Sequence, residues 1–191
     1  MESDFKMLRI FKFDSTKIEE EIESFEKKNE MCLPREYKKF LLKYNGGNTI
    51  DTRFKINEVS SDIRAFYGFK NVPKNYDIVS FTDIDFFLEK GLFPIAEDSL
   101  GNKIVIGVKN KNQENIYFFD HELSEFSYVI NNLKLFFGKI KSKEVVIPSI
   151  EERIREMKVD DSNFEVDDEW IEIWQAEIDK YSGNEQETVI I

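Results

Sequence analysis

Tyr37, Phe40, Leu41 and Tyr44 recur at i, i+3, i+4 and i+7, the spacing of one face of a helix. Pro34 stands just before the stripe, where its missing N–H leaves no helical bond unmade. Asn45-Gly46-Gly47 stands just after it, where the chain needs a left-handed residue that Asn or Gly adopts cheaply. The helix is therefore bounded at both ends, and its four large side chains require an apolar surface to lie on. A second amphipathic run, Thr16 to Lys28, precedes it. There Ile18, Ile22 and Phe25 keep helical spacing, Thr16 and Glu19 have capping-box spacing, and Asn29 offers a stop. The short link from Asn29 to Leu33 makes the two helices antiparallel neighbours.

From Thr49 to Val72 the pattern shortens to strand-like pieces such as Phe54-Lys55-Ile56-Asn57. Ile78, Phe81, Ile84 and Leu88 predict a third helix closed by Gly91. Phe93-Pro94-Ile95 reads as extended, and Asp98 to Asn102 as a turn. Lys103–Val108 and Ile116–Phe119 are β-rich runs joined by the polar loop Lys109–Asn115, a hairpin. Phe126, Val129, Ile130, Leu133 and Phe136 or Phe137 predict a fourth helix with Ser124 as its cap.

Gly138 to Glu144 is polar and Lys-rich and reads as a boundary, giving a body of residues 1–143 and an extension of residues 144–191. Ser149 and Glu152 form a second capping-box pair, with Ile150, Ile154 and Met157 on one helix face and Asp160 to Asn163 ending it. Trp170, Ile171, Trp174 and Ile178 share a face of a last helix, with acids in its first turn where the macrodipole favours them. Tyr181 to Ile191 reads as a frayed tail. The net charge of −11 is concentrated here: 14 acids and four bases lie from Ser149 onward, which leaves the rest close to neutral. An acidic segment of this kind repels nucleic acid and steers toward basic partners.

Several chemistries lack their parts. Cys32 is the single cysteine and His121 the single histidine, so no disulfide and no His/Cys metal cluster forms within one chain. The lone cysteine fits a reducing cytoplasm. Met1-Glu2-Ser3-Asp4 carries acids where a signal peptide carries bases, and no apolar run is long enough to span a bilayer. There is no Walker loop, no G-x-G-x-x-G and no G-x-S-x-G. The bases are interleaved with acids, which argues against nucleic-acid binding. His121 lies between Asp120 and Glu122, but neighbours in a strand point to opposite faces, so neither carboxylate orients the ring. Asp83 with Asp85, and Glu97 with Asp98, read as helix caps and a turn rather than as a cation site. No catalytic residue, metal or cofactor is expected.

Leu33-Pro34-Arg35-Glu36-Tyr37-Lys38-Lys39-Phe40-Leu41, followed by Tyr44-Asn45-Gly46-Gly47, resembles the N-terminal signature of the SUKH superfamily. That superfamily comprises the fungal cell-wall assembly regulators and many bacterial immunity proteins. Phe93-Pro94-Ile95-Ala96-Glu97-Asp98 with Gly101-Asn102 resembles a later segment of the same pattern. Ile116 to Glu122 resembles the strand that follows, and Phe126 to Phe137 the closing helix. The resemblance spans about residues 15 to 137. Asn102 departs from it, standing where an acidic residue is commoner.

The resemblance implies an α+β fold, a mostly antiparallel sheet with helices packed on it, to which the acidic helical extension is added. It also implies a binding role: bacterial members neutralise a cognate toxin by direct contact, and the fungal members act as regulatory scaffolds. A nuclease-type toxin with a basic cleft would complement the acidic segment. The candidate partner-binding residues are Glu97, Asp98, Asp120 and Glu122 in the body, and Asp167, Asp168, Glu169, Trp170 and Trp174 in the extension. The two tryptophans lie one turn apart and serve either to dock their own helix or to anchor a partner. An enzyme using His121 is a distant third reading.

Overall fold

The computed structural model describes residues 5–109, 112–160, 166–181 and 185–191. In chain order its elements are β1 (Phe5–Met7), β2 (Arg9–Lys12), α1 (Glu19–Lys28), α2 (Arg35–Tyr44), β3 (Gly47–Asn48), β4 (Thr52–Ile56), β5 (Val59–Ser61), β6 (Ala65–Phe66), α3 (Ile84–Glu89), β7 (Leu92–Glu97), β8 (Lys103–Gly107), β9 (Ile116–Asp120) and β10 (Glu125–Ile130). There follow α4 (Leu133–Lys139), β11 (Lys141–Lys143), α5 (Ile150–Asp160), α6 (Asp168–Tyr181) and β12 (Glu187–Thr188). The fold is α+β, as expected. The strands form an eight-stranded sheet in the order β10-β9-β8-β7-β6-β3-β2-β12 and a four-stranded sheet in the order β1-β11-β4-β5. Every pairing between these strands is antiparallel.

The chain divides into two compact units. A body comprises residues 1–144 and 186–191, and a second unit comprises residues 145–185. In the body, the stripe of α2 is wholly buried, and its rings meet those of the sheet and of α4. Phe40 lies 5.3 Å from Phe66 and 5.1 Å from Phe137, both edge to face, the arrangement that the ring quadrupole favours. Ile104 and Ile106 of β8 join this main core, as do Ile116 of β9 and Ile22 and Phe25 of α1. Leu92, Val105 and Phe119 instead join Phe87 of α3 in a smaller cluster. Val105 alternates with its neighbours along β8, so the two clusters lie on opposite faces of the sheet.

Asn45 ends α2 in the left-handed conformation, with φ 51°. It does more than stop a helix. Its buried carboxamide donates to the carbonyls of Asp14, Phe69 and Lys70 and accepts from the Phe69 N–H, tying three segments together. Gly46 follows with φ +78°, and a Cβ there would lie 2.5 Å from the Phe66 carbonyl oxygen. Glycine is therefore required by space as well as by φ.

Four expectations need correction. Thr16 does not cap α1: the helix starts at Glu19, and the Thr16 N–H is taken by the Asp14 carboxylate. The helix expected over Ile78–Leu88 is a 3-10 turn at Ile78–Ser80, capped by Asp77, followed by the six-residue α3. The helix expected from Phe126 is strand β10 and then α4, which is capped by Asn132 through the Leu135 N–H. Phe-Ser-Tyr-Val-Ile is rich in β-formers, and pairing with β9 decides its state. Ser124 sits in the hairpin turn with φ 55°. The Lys-rich stretch read as a boundary also carries β11, the last strand before the second unit and an inner strand of the smaller sheet, whose buried Ser142 hydroxyl accepts from the Arg9 N–H.

The fourth correction is at the C-terminus, where the frayed tail carries a strand. β12 pairs with β2, the Val189 N–H donates to the Leu8 carbonyl, and Val189 and Ile191 pack on the main core. The Tyr44 hydroxyl accepts from the Ile190 N–H at 3.0 Å, and Lys12 pairs with Glu187 at 2.6 Å, a contact that raises the Lys12 pKa. Residues 182–184 lie outside the described residues, as do Asp161 to Asn163 of the expected helix break and part of the Lys109–Asn115 loop.

The second unit contains α5 and α6. The expected capping box forms reciprocally at α5: the Ser149 N–H donates to the Glu152 carboxylate at 2.8 Å, and the Glu152 N–H donates to the Ser149 hydroxyl at 3.2 Å. Arg153 of α5 joins the two helices through an ion pair with Glu177 at 2.8 Å, and its guanidinium lies 5.8 Å from the centre of the Trp174 ring.

Candidate partner-binding site

The body residues singled out from the sequence converge on neighbouring turns. The β7–β8 turn, Asp98 to Asn102, and the β9–β10 turn, His121 to Ser124, lie at the same end of the sheet because β8 pairs with β9. Asn102 joins them: its side-chain oxygen lies 2.9 Å from His121 Nδ1 and accepts from the His121 N–H at 3.2 Å. This answers the departure at Asn102. An amide can donate to Asp98 and accept from His121 at once, which a carboxylate cannot.

Asp98 is fully buried. Its carboxylate accepts from the Ser61 hydroxyl, the Leu100 and Asn102 N–H groups and the Asn102 amide. Both oxygens are occupied within the body, so Asp98 builds the turn and offers no free oxygen outward. Glu97 is half-buried and committed likewise, to Lys103 at 2.9 Å and the Tyr67 hydroxyl at 2.9 Å. Burial, and then the Glu97 charge, push the Tyr67 phenol well above its usual range. Asp120 caps its turn by accepting from the Glu122 and Leu123 N–H groups. Glu122 is exposed, and so are Leu100 and Leu123 at the two turn tips.

In the second unit, Asp167, Asp168 and Glu169 are exposed at the start of α6, and the Asp167 carboxylate accepts from the Trp170 N–H at 3.0 Å. Trp174 is 5% exposed and held under Arg153, whereas Trp170 is 43% exposed and Ile173 56%. The two indoles meet at 5.7 Å. The two differ: Trp174 is an internal contact, and Trp170 is exposed directly after Asp167, Asp168 and Glu169 in the sequence.

Sequence reasoning gives no role to Phe86, Tyr117 and Tyr128, aromatic residues outside the main core, and puts Phe126 in the wrong element. It places Phe126 on a helix face together with Val129 and Ile130, whereas Phe126 lies on strand β10. The period-two signal in Phe126-Ser127-Tyr128 was there to find. Among the described residues, no group of three or more His, Cys, Asp or Glu is placed to hold a metal ion. No helix among them is long and apolar enough to cross a membrane.

The order of these parts matches a known family. The model of the SMI1 / KNR4 family (SUKH-1) matches residues 19–139, from the first residue of α1 to the last of α4. The chain belongs to this family. SUKH-1 proteins are known for immunity members and are generally non-catalytic. The match ends before β11, so the second unit lies outside the SUKH-1 region. The chain is also similar to the SPbeta prophage-derived uncharacterized protein YokK of Bacillus subtilis (strain 168). The two are 26% identical over 174 residues, which covers 78% of this chain and 88% of that protein. No solved structure matches the chain.

Proposed function

We propose that this SUKH-1 chain is a non-catalytic, cytoplasmic immunity protein that binds a cognate polymorphic toxin and neutralises it by direct contact. Membership of a family known for immunity proteins carries the reading. The body, residues 1–144 with 186–191, supplies the family scaffold, and the acidic helical unit of residues 145–185 supplies long-range attraction. The concentration of acids beyond Ser149 favours a basic partner, of which a nuclease-type toxin is the natural example. Trp170 then acts as an apolar contact within the acidic rim, with Asp167, Asp168 and Glu169 beside it. Glu122 and the leucine-tipped turns are the body's contribution, and Glu97, Asp98 and Asp120 shape those turns from within. Trp174 supports Trp170 from behind.

The test is co-expression with the product of the adjacent reading frame. A stoichiometric complex that abolishes that protein's toxicity is the expected result. A stable complex with a host protein and no toxin would favour the regulatory-scaffold reading instead. In the toxin complex, reversing Asp167, Asp168 and Glu169 to Lys should slow association by roughly tenfold at low salt. The effect should shrink as the Debye length falls toward about 8 Å at physiological ionic strength. Equal association rates for wild type and variant at every salt concentration would remove the acidic segment from the interface.

A further inference from the structure

The eight-stranded sheet is apolar on both faces over β7 to β10, and the two faces are covered unequally. On the main-core side, α1, α2 and α4 contribute buried side chains. On the other side, Phe87 of α3 supplies the buried helical side chain of the smaller cluster. A helix of six residues is about 9 Å long, whereas a five-residue strand such as β9 runs about 17 Å. The helix therefore covers only part of the strands beneath it.

What it leaves open is a continuous row of rings. Phe126 pairs across the strands with Phe119, and Tyr128 with Tyr117, on the same face two residues along. Phe86 extends the row from α3, stacked at 6.2 Å on Phe126 and 5.6 Å from Phe119. Tyr117 and Tyr128 meet edge to face at 5.8 Å. Phe86 is 39% exposed and Tyr128 49%, with Phe126 and Tyr117 half-buried between them. Rings of this kind dominate protein interfaces, because a large apolar area is presented at little cost in side-chain entropy.

The surroundings define the occupant. Asp83, Asp85 and Glu89 lie on or just before α3, all exposed, and none forms an ion pair among the described residues. Asp83 precedes the helix but makes no side-chain cap bond. A cation already uses one ring of the row: the Lys90 ammonium lies 4.7 Å from the centre of Phe86. Electron-rich ring faces beside unpaired carboxylates attract cations twice over.

We propose that the open aromatic row Phe86–Phe126–Tyr128, with Asp83, Asp85 and Glu89 at its α3 end, docks an apolar segment bearing arginine or lysine from a partner protein. The proposal rests on the reading that this protein acts by binding another protein, and it names a second contact surface, on the family scaffold itself. The row supplies short-range packing, and the carboxylates select and orient the basic side chains.

The test uses the full chain and two short synthetic peptides, one alternating arginine with leucine and the other glutamate with leucine. Titration of the arginine peptide should shift the aromatic ring signals of Phe86, Phe126 and Tyr128 in carbon–proton NMR spectra. The glutamate peptide should leave them in place. Phe86→Ser and Tyr128→Ser should each weaken arginine-peptide binding by about tenfold, and the double change Asp85→Lys with Glu89→Lys by at least as much. Tyr128 is the more exposed of the two rings, so its variant keeps the test valid should Phe86→Ser lose its fold. Shifts confined to residues 167–177, equal responses to the two peptides, or no binding at all would overturn the proposal. None of these outcomes depends on the product of the adjacent reading frame, so the docking surface and the immunity role fail separately.

Discussion

The body and the 145–185 unit use their aromatic residues in opposite ways. In the body, rings pack on rings: Phe40 touches Phe66, Phe137, Tyr44 and Tyr37 within 6.1 Å and is wholly buried. In the 145–185 unit, the two tryptophans touch each other, and Trp174 is covered by the guanidinium of Arg153, which pairs with Glu177. Mutual ring packing buries area without leaving a polar group to satisfy, so it holds a fold firmly. Of the two tryptophans, Trp170 is left 43% exposed and keeps an apolar face open. Under the proposed function the difference separates a scaffold from a part that meets the partner, and the SUKH-1 match ends between the two.

The sharpest way to break this comparison is Phe40→Ala. Truncating a fully buried phenylalanine costs about 3–5 kcal/mol, through lost transfer energy and a residual cavity. Both tryptophans of the chain lie in the 145–185 unit, so tryptophan fluorescence reports on that unit and far-ultraviolet circular dichroism mainly on the body. The expected result is a large fall in the urea midpoint by circular dichroism, with the fluorescence transition unmoved. Coincident shifts in both signals would show one cooperative structure and end the distinction.

A smaller effect sharpens the boundary. The Gln186 side-chain amide donates to the Lys143 carbonyl at 3.3 Å, so the chain leaves the body and re-enters it at adjacent points. Ending the chain after Lys143 removes β12, the Tyr44–Ile190 bond and the packing of Val189 and Ile191. That should cost about 2–3 kcal/mol, from one or two partly buried aliphatic side chains and a few hydrogen bonds. Replacing residues 145–185 by a short Gly/Ser bridge should cost less than about 1 kcal/mol, because closing a shorter loop carries no added entropy penalty. If the two deletions prove equally damaging, the helical unit belongs to the core.

Residues that act locally were readable in advance. The Pro34 and Asn45 bounds of α2, the Ser149–Glu152 box and the turn at Asp98 each depend on neighbours within four positions. The family resemblance came from the same local motifs, and with it the α+β class. Where distant pairing decides, the reading failed: Phe126 to Ile130 fits a helix until β9 is placed beside it, and Val189 looks idle until β2 is. The candidate site divided along the same line. That Glu122 and Trp170 are exposed fits their composition and spacing. The burial of Asp98 depends on Ser61, 37 positions away, and the role of Asn102 on His121, 19 positions away. The open aromatic row requires knowing how short α3 is.

The smallest effect concerns the one ring of α2 that breaks the body's pattern. Tyr37 is fully buried, and its hydroxyl has no hydrogen-bond partner among the described residues, whereas the Tyr67 hydroxyl donates to Glu97. A buried hydroxyl without a partner carries its desolvation cost uncompensated, so Tyr37→Phe should stabilise the body by about 1 kcal/mol at neutral pH. Burial also pushes the Tyr37 phenol well above the usual value near 10. In the unfolded chain that phenol ionises near pH 10, while in the folded chain it stays protonated. The raised folded value therefore contributes stability below about pH 10 that is lost as pH rises beyond it, at up to about 1.4 kcal/mol per pH unit for each such tyrosine. Tyr67 shares this direction of shift, and its replacement by Phe would also give up the Glu97 bond. The advantage of Tyr37→Phe should thus grow from about 1 kcal/mol at pH 7 to about 2–2.5 kcal/mol at pH 11, read from urea midpoints at constant slope. A loss of stability at pH 7 would mean that the hydroxyl is hydrogen-bonded after all, and a constant difference from pH 7 to 11 would mean that the phenol ionises alike in both states.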